Sequence, residues 1–138
     1  MGFKKIDHLG IAVPNLKEAL VLYDSLLGKK ADHIEEVEDQ KVKAAFYEVG
    51  GSNLELLEAT SPESPIAKFL AKNRPGIHHL CVEVEDIEAE LARLKQQGLQ
   101  LIDEKPRIGA HGKKVAFVHP KSTGGILLEL SQKTLKDG

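Results

Sequence analysis

The sequence predicts an α+β domain built from two βαβββ modules, and three observations carry that prediction. Ile6-Asp7-His8-Leu9-Gly10-Ile11-Ala12-Val13 is a worn copy of Ile77-His78-His79-Leu80-Cys81-Val82-Glu83-Val84. Leu54-Glu55-Leu56 recurs as Leu128-Glu129-Leu130, and Lys43, Ala45 and Phe46 recur as Lys114, Ala116 and Phe117. The separation between copies is 71 residues at His8/His79 and 74 at Glu55/Glu129, so the register is kept to within three residues across the whole unit. Chance apolar similarity would not keep both the strand order and the polar positions.

Module one spans about residues 3–60. Its first strand, about Phe3–Val13, puts His8 on one face with Ile6, Gly10 and Ala12, and Leu9, Ile11 and Val13 on the other. Asn15 is the N-cap of a helix whose apolar stripe is Leu16, Ala19, Leu20, Tyr23, Leu26 and Leu27, and Gly28 stops it. Strands follow at about Lys30–Glu38, Val42–Val49 and Asn53–Ala59, with turns at Asp39-Gln40 and Gly50-Gly51-Ser52. A linker helix over about 64–74 has Ser64 as cap, Pro65 in its first turn, and Ile66, Phe69 and Leu70 as buried face.

Module two spans about residues 76–132 and repeats the order. A strand at about Ile77–Val84 leads through the cap Asp86 to a helix from Ile87 to Gln97 that stops at Gly98. Strands are expected at about Leu99–Glu104, Lys114–His119 and Ile126–Ser131. Between the first two lies Pro106–Lys113, glycine-rich and polar, which reads as a flexible loop that closes over a ligand.

Length and composition suit a single domain over 1–138. The chain has 41% hydrophobic and 29% charged residues, a net charge of −2 and no long block of like charge, which argues against a nucleic-acid partner. No apolar run approaches the roughly 20 residues of a membrane span. Cys81 is the only cysteine, sits in an apolar strand and reads as an inert core thiol in a reducing compartment. The amino-terminal residues pass straight into a strand pattern, which reads as a cytoplasmic protein.

The chemistry rests on the duplication. A His and a Glu at matched positions of two modules can bring four ligands to one divalent first-row ion: His8, Glu55, His79 and Glu129. A carboxylate in the middle of an apolar strand is costly to bury unless it is paired or metal-bound. Of the other histidines, His78 points away from His79 and reads as packed, and His33 and His119 read as structural. His111, in the glycine loop, is a candidate substrate contact.

These residues also carry a family resemblance. The stretches Ile6–Pro14, Asn53–Glu58, Ser64–Leu70, Gly76–Leu80, Ile108–Lys113, His119–Lys121 and Gly125–Leu130 resemble the vicinal oxygen chelate (glyoxalase/bleomycin-resistance-like) superfamily, and within it the methylmalonyl-CoA epimerases. The resemblance implies paired βαβββ modules forming an open, U-shaped eight-stranded sheet around one divalent ion per chain. It implies metal ligation by His8, His79, Glu129 and Glu55, with cobalt the expected ion and manganese, nickel or zinc as alternatives. It implies epimerisation of (R)- and (S)-methylmalonyl-CoA through an enediolate, with Glu129 as one catalytic base, and a homodimer. Relatives place a second catalytic carboxylate on the strand equivalent to Val42–Val49. Here Lys43, Glu48, Glu55 and a bound water are the alternatives. Lys68, Lys72, Arg107, Lys113 and Lys121 are candidates for the CoA phosphates. Two rival readings share the fold: a glyoxalase-like lyase or isomerase, and a small-molecule-binding protein without catalysis.

Overall fold

The computed structural model describes residues 2–109 and 112–134. Its strands are β1 (Phe3–Ala12), β2 (His33–Val37), β3 (Val42–Val49), β4 (Ser52–Ala59), β5 (Gly76–Val84), β6 (Arg107–Ile108), β7 (Lys114–Val118) and β8 (Leu127–Gln132). Its helices are α1 (Leu16–Leu27), α2 (Pro65–Lys72) and α3 (Ile87–Gln96). The strands form one eight-stranded mixed sheet in the order β2-β3-β4-β1-β5-β8-β7-β6. β1 runs parallel to β4, and β5 runs parallel to β8. The chain divides into two compact units, one of His8–His78 and one of the residues up to Asp7 together with those from His79 on.

In the His8–His78 unit, α1 forms where the sequence supplies both ends. The Asn15 side chain accepts from the Glu18 N–H at 3.0 Å, and Gly28 closes the helix in a left-handed conformation at φ 69°. Leu16, Ala19, Leu20, Tyr23 and Leu27 pack on Ile11, Val13, Ala45, Tyr47 and Leu56. Tyr47 is fully buried, and its hydroxyl donates to Asp24 at 2.6 Å. On the opposite sheet face, Ile66, Phe69 and Leu70 of α2 cover Ala12, Val42, Ala44 and Leu57. Fully burying a side chain such as Ile66 contributes about 2 kcal/mol.

In the other unit, Leu91, Leu94 and Ile87 of α3 pack on Val82, Val84, Ala116, Val118 and Leu130. Asp86 caps this helix through the Ala89 N–H at 3.1 Å. Glu90 is buried on α3, which by itself pushes its carboxyl pKa up. Arg93, donating at 2.9 Å, and the Gly2 N–H, also at 2.9 Å, outweigh that and hold it below the ordinary carboxylate range.

Three expectations need correction. The strand expected at Leu99–Glu104 does not form: Leu101 makes one isolated bridge to Val118, and the Ile102 N–H donates to the Phe117 carbonyl. The Asp103 carboxylate then takes the Phe117 N–H at 2.9 Å, replacing a ladder bond with a side-chain bond, and Pro106 has no N–H to offer. The second strand of this module is instead Arg107–Ile108, inside the segment read as a flexible loop; it pairs antiparallel with Val115 and Lys114. A Cβ on Gly109 would meet Val115 Cγ2 at 2.9 Å, so a glycine is needed where the hairpin arm crosses that side chain.

The strand expected from Lys30 begins only at His33, because Asp32 uses its side chain on Lys29 and on the Glu48 N–H. Leu26, expected on the buried stripe of α1, is 66% exposed, since that stripe passes through Tyr23 and Leu27.

Candidate active site

Each unit carries a sheltered imidazole–carboxylate pair, built in the same way. Along β1 and β4, His8 stands opposite Asn53 and Gly10 opposite Glu55. Along β5 and β8, His79 stands opposite Leu127 and Cys81 opposite Glu129. In both, the Glu faces the residue two positions beyond the His, so the two side chains share a sheet face and meet diagonally. His8 Nδ1 lies 3.5 Å from Glu55 Oε2, and His79 Nε2 lies 3.9 Å from Glu129 Oε1. All four side chains are between 13% and 15% exposed, sheltered but open to a ligand.

Sequence reasoning missed what flanks each carboxylate. Phe46 stands opposite Glu55 across β3 and β4, and Phe117 stands opposite Glu129 across β7 and β8. A planar nitrogen group lies on each ring. The His33 imidazole stacks on Phe46 at 5.7 Å and 27°, and Arg107 Cζ lies 5.5 Å from the centre of Phe117. The signal was present, because Phe46/Phe117 is one of the identities of the repeat, but identity alone does not say which face a ring takes.

Register also sorts the alternatives for a second acid or base. Lys43 stands opposite Glu58 and Glu36. It therefore shares a face with Ala45 and Tyr47, against which α1 packs, and points away from the His8–Glu55 face. Glu48 stands opposite Asn53, and Asn53 opposite His8. Glu48, Asn53 and His8 form one cross-strand row on the face that also carries Glu55.

The remaining expected residues fall as follows. Cys81 is buried at 1% exposure on the His79–Glu129 face. His78 packs edge-on against Phe69 at 5.1 Å, and burial lowers its pKa, so it stays neutral at pH 7. The His119 Nδ1 accepts from the Lys121 N–H at 3.0 Å, which makes it a turn cap. Lys113 lies 3.6 Å from Asp7, Lys68 and Lys72 are on the exposed side of α2, and His111 lies outside the described residues. Two residues further along from the Cys81–Glu129 pair, Glu83 and Ser131 are buried, and Glu83 is balanced by Lys4 at 3.5 Å and Lys133 at 3.8 Å.

The donor set suits a divalent metal. Neutral imidazole and carboxylate are ligands for first-row ions, and each His already has a carboxylate within reach to neutralise part of an ion's charge. Among the described residues no helix is long and apolar enough to cross a membrane.

Comparison with known proteins agrees with this chemistry. The family model of the glyoxalase/bleomycin resistance protein/dioxygenase superfamily matches residues 7–117. The ethylmalonyl-CoA/methylmalonyl-CoA epimerase of Cereibacter sphaeroides is 43% identical over 130 residues, covering 93% of this chain and 97% of that protein. The mitochondrial methylmalonyl-CoA epimerase of Homo sapiens is 40% identical over 129 residues, covering 93% of this chain and 73% of that protein. The crystal structure of methylmalonyl-CoA epimerase from Mycobacterium tuberculosis matches with a TM-score of 0.82 and 37% identity, over 97% of this chain and 91% of that one. A family match across most of the chain, joined to relatives of this identity and coverage, decides the assignment: the chain belongs to the glyoxalase/bleomycin resistance protein/dioxygenase superfamily.

Proposed function

We propose that this protein is a metal-dependent epimerase that interconverts the R and S forms of methylmalonyl-CoA. The observation that carries the reading is the recurrence of one His–Glu pair at matched register in both units, at 3.5 and 3.9 Å. The names of the relatives support the substrate.

In this reading His8, Glu55, His79 and Glu129 hold one divalent ion, with cobalt the first choice and manganese, nickel or zinc behind it. Bound there, the ion supplies Lewis-acid polarisation of the acyl oxygens, which makes the α-proton easier to remove. Glu129 takes that proton, leaving the substrate as its enediolate. Phe117, opposite Glu129, keeps one flank of the carboxylate apolar, which limits competing solvation of the base. Inversion requires a second group to return a proton to the other side of the carbon. Glu48 is assigned that role, because it shares the His8–Glu55 face and Lys43 does not. The reading includes a single domain, a homodimer and a cytoplasmic setting; lone, buried Cys81 suits a reducing compartment.

The test is isotope exchange. Protein reconstituted with cobalt, manganese or zinc is incubated with methylmalonyl-CoA in deuterated water. Wash-in of deuterium at the α-carbon well above the buffer rate is expected. Its absence with all three metals would remove the epimerase reading and leave a glyoxalase-like reaction or simple binding.

A further inference from the structure

The His79–Glu129 face carries a cation at its edge strand. Arg107 on β6 stands opposite Val115 on β7, Val115 opposite Ser131, and Phe117 opposite Glu129. Cross-strand partners point to the same side, so Arg107, Phe117 and Glu129 share one sheet face. The Arg107 Cζ lies 5.5 Å from the Phe117 ring centre, and Nη2 lies 3.9 Å from the Asp103 carboxylate. Asp103 in turn holds the Phe117 N–H at 2.9 Å. One carboxylate therefore fixes the strand beneath the ring and steadies the guanidinium above it.

That arrangement orients the guanidinium without using it up. At 3.9 Å the Asp103 contact is beyond hydrogen-bond range, and the Arg107 side chain is 61% exposed. Among the described residues no hydrogen bond takes up any of its five N–H donors. A planar fork held flat on an aromatic ring is pre-organised for bidentate binding of carboxylate or phosphate. The same face carries the Glu129 carboxylate, so an anionic ligand entering beside it meets a negative charge that a cation on that face offsets.

We propose that Arg107, laid on Phe117, is an anion-recognition subsite that binds a carboxylate or phosphate group of the acyl-CoA. This rests on the reading of the site as one that takes an acyl-CoA. The subsite lowers KM rather than raising kcat, because its contacts are the same before and during proton transfer.

The experiment compares wild type, Arg107→Ala, Arg107→Lys and Phe117→Leu on two substrates, methylmalonyl-CoA and methylmalonyl-pantetheine, which lacks the nucleotide phosphates. Arg107→Ala is expected to raise KM for methylmalonyl-CoA about tenfold with kcat little changed. Arg107→Lys keeps the charge and loses the fork, so it should recover only part of this, and Phe117→Leu should raise KM as well. A KM effect that persists on the pantetheine ester assigns the bound group as the malonyl carboxylate; one that vanishes there assigns a CoA phosphate. An unchanged KM on both esters, or a loss confined to kcat, overturns the subsite.

Calorimetric titration of metal-loaded protein with malonyl-CoA gives the same comparison without turnover. Binding about tenfold weaker in Arg107→Ala supports the proposal. Equal affinity, or no binding by wild type, overturns it. Failure of the wild-type isotope exchange alone removes the epimerase reading and leaves this binding result standing.

Discussion

Phe117 stands directly opposite Glu129 across β7 and β8, and its repeat partner Phe46 stands opposite Glu55 in the same way. The two carboxylates therefore share one local register, each with a histidine diagonal to it and a ring beside it. They differ in the group laid on each ring, His33 on Phe46 and Arg107 on Phe117, and in the residue opposite, Gly10 for Glu55 and Cys81 for Glu129.

Glu129→Gln and Glu55→Gln should separate base from ligand. An amide oxygen can still ligate a metal but cannot accept the α-proton. Glu129→Gln is expected to lower the isotope-exchange rate by about a thousandfold, the usual scale for losing a general base. Glu55→Gln should stay within about tenfold of wild type, because metal ligation survives in part. Equal losses in the two variants would remove Glu129 as the base.

His8→Ala and His79→Ala should each weaken cobalt binding by more than about a hundredfold, read from the visible absorption of the bound ion during titration. Neither histidine belongs to the apolar clusters around α1, α2 and α3, so the far-ultraviolet circular dichroism should be retained. Undiminished cobalt affinity in either variant would exclude that histidine from the metal site.

Glu48→Gln and Lys43→Ala test the register argument. Glu48→Gln should lower kcat about a hundredfold. It should also slow deuterium entry from one epimer more than from the other, since only one side of the carbon loses its proton donor. Lys43→Ala, on the face packed by α1, should change kcat less than about twofold. The reverse pattern would return the second acid or base to Lys43.

Tyr47 and Asp24 make a testable contribution to stability. Tyr47→Phe leaves the Asp24 carboxylate without the hydroxyl that donates to it at 2.6 Å, and should cost about 1–3 kcal/mol in urea denaturation. Burial first, and then the bond to Asp24, pushes the Tyr47 hydroxyl pKa upward. An acid whose folded pKa is raised binds its proton more tightly when folded. The associated stability is complete below the unfolded tyrosine value of about 10 and falls as pH rises past it. Wild type should therefore lose stability above about pH 10 more steeply than Tyr47→Phe, and parallel curves would exclude the effect.

Much of this molecule was legible in the sequence because the signals were local. Asn15, Ser64 and Asp86 accept from their helices' first turns as cap chemistry requires, and Gly28 ends α1 in the left-handed conformation. Period-two alternation placed His8 and Glu55 on faces that the ladders confirm. What was not legible depends on partners distant in sequence. Nothing in Leu99–Glu104 shows that Asp103 will use its carboxylate on the Phe117 N–H and end strand pairing there. The face of Glu48 follows from its pairing with Asn53 and of Asn53 with His8, a relation that exists only once three strands are aligned. Arg107 read as one basic residue among five until Phe117 was beneath it.

The boundary between the sequence copies is not the boundary between the compact bodies. The copies meet at the linker before Gly76, yet the residues preceding His8 group with those from His79 onward. A gene cut at that linker would separate the opening stretch of β1 from the body it belongs to, including the Gly2 N–H that serves buried Glu90. Either half expressed by itself would then lack a piece the other had carried away. Halves taken from different relatives should combine well only if the first seven residues travel with the second half, which makes those residues the ones to watch when chimeras of this fold are assembled.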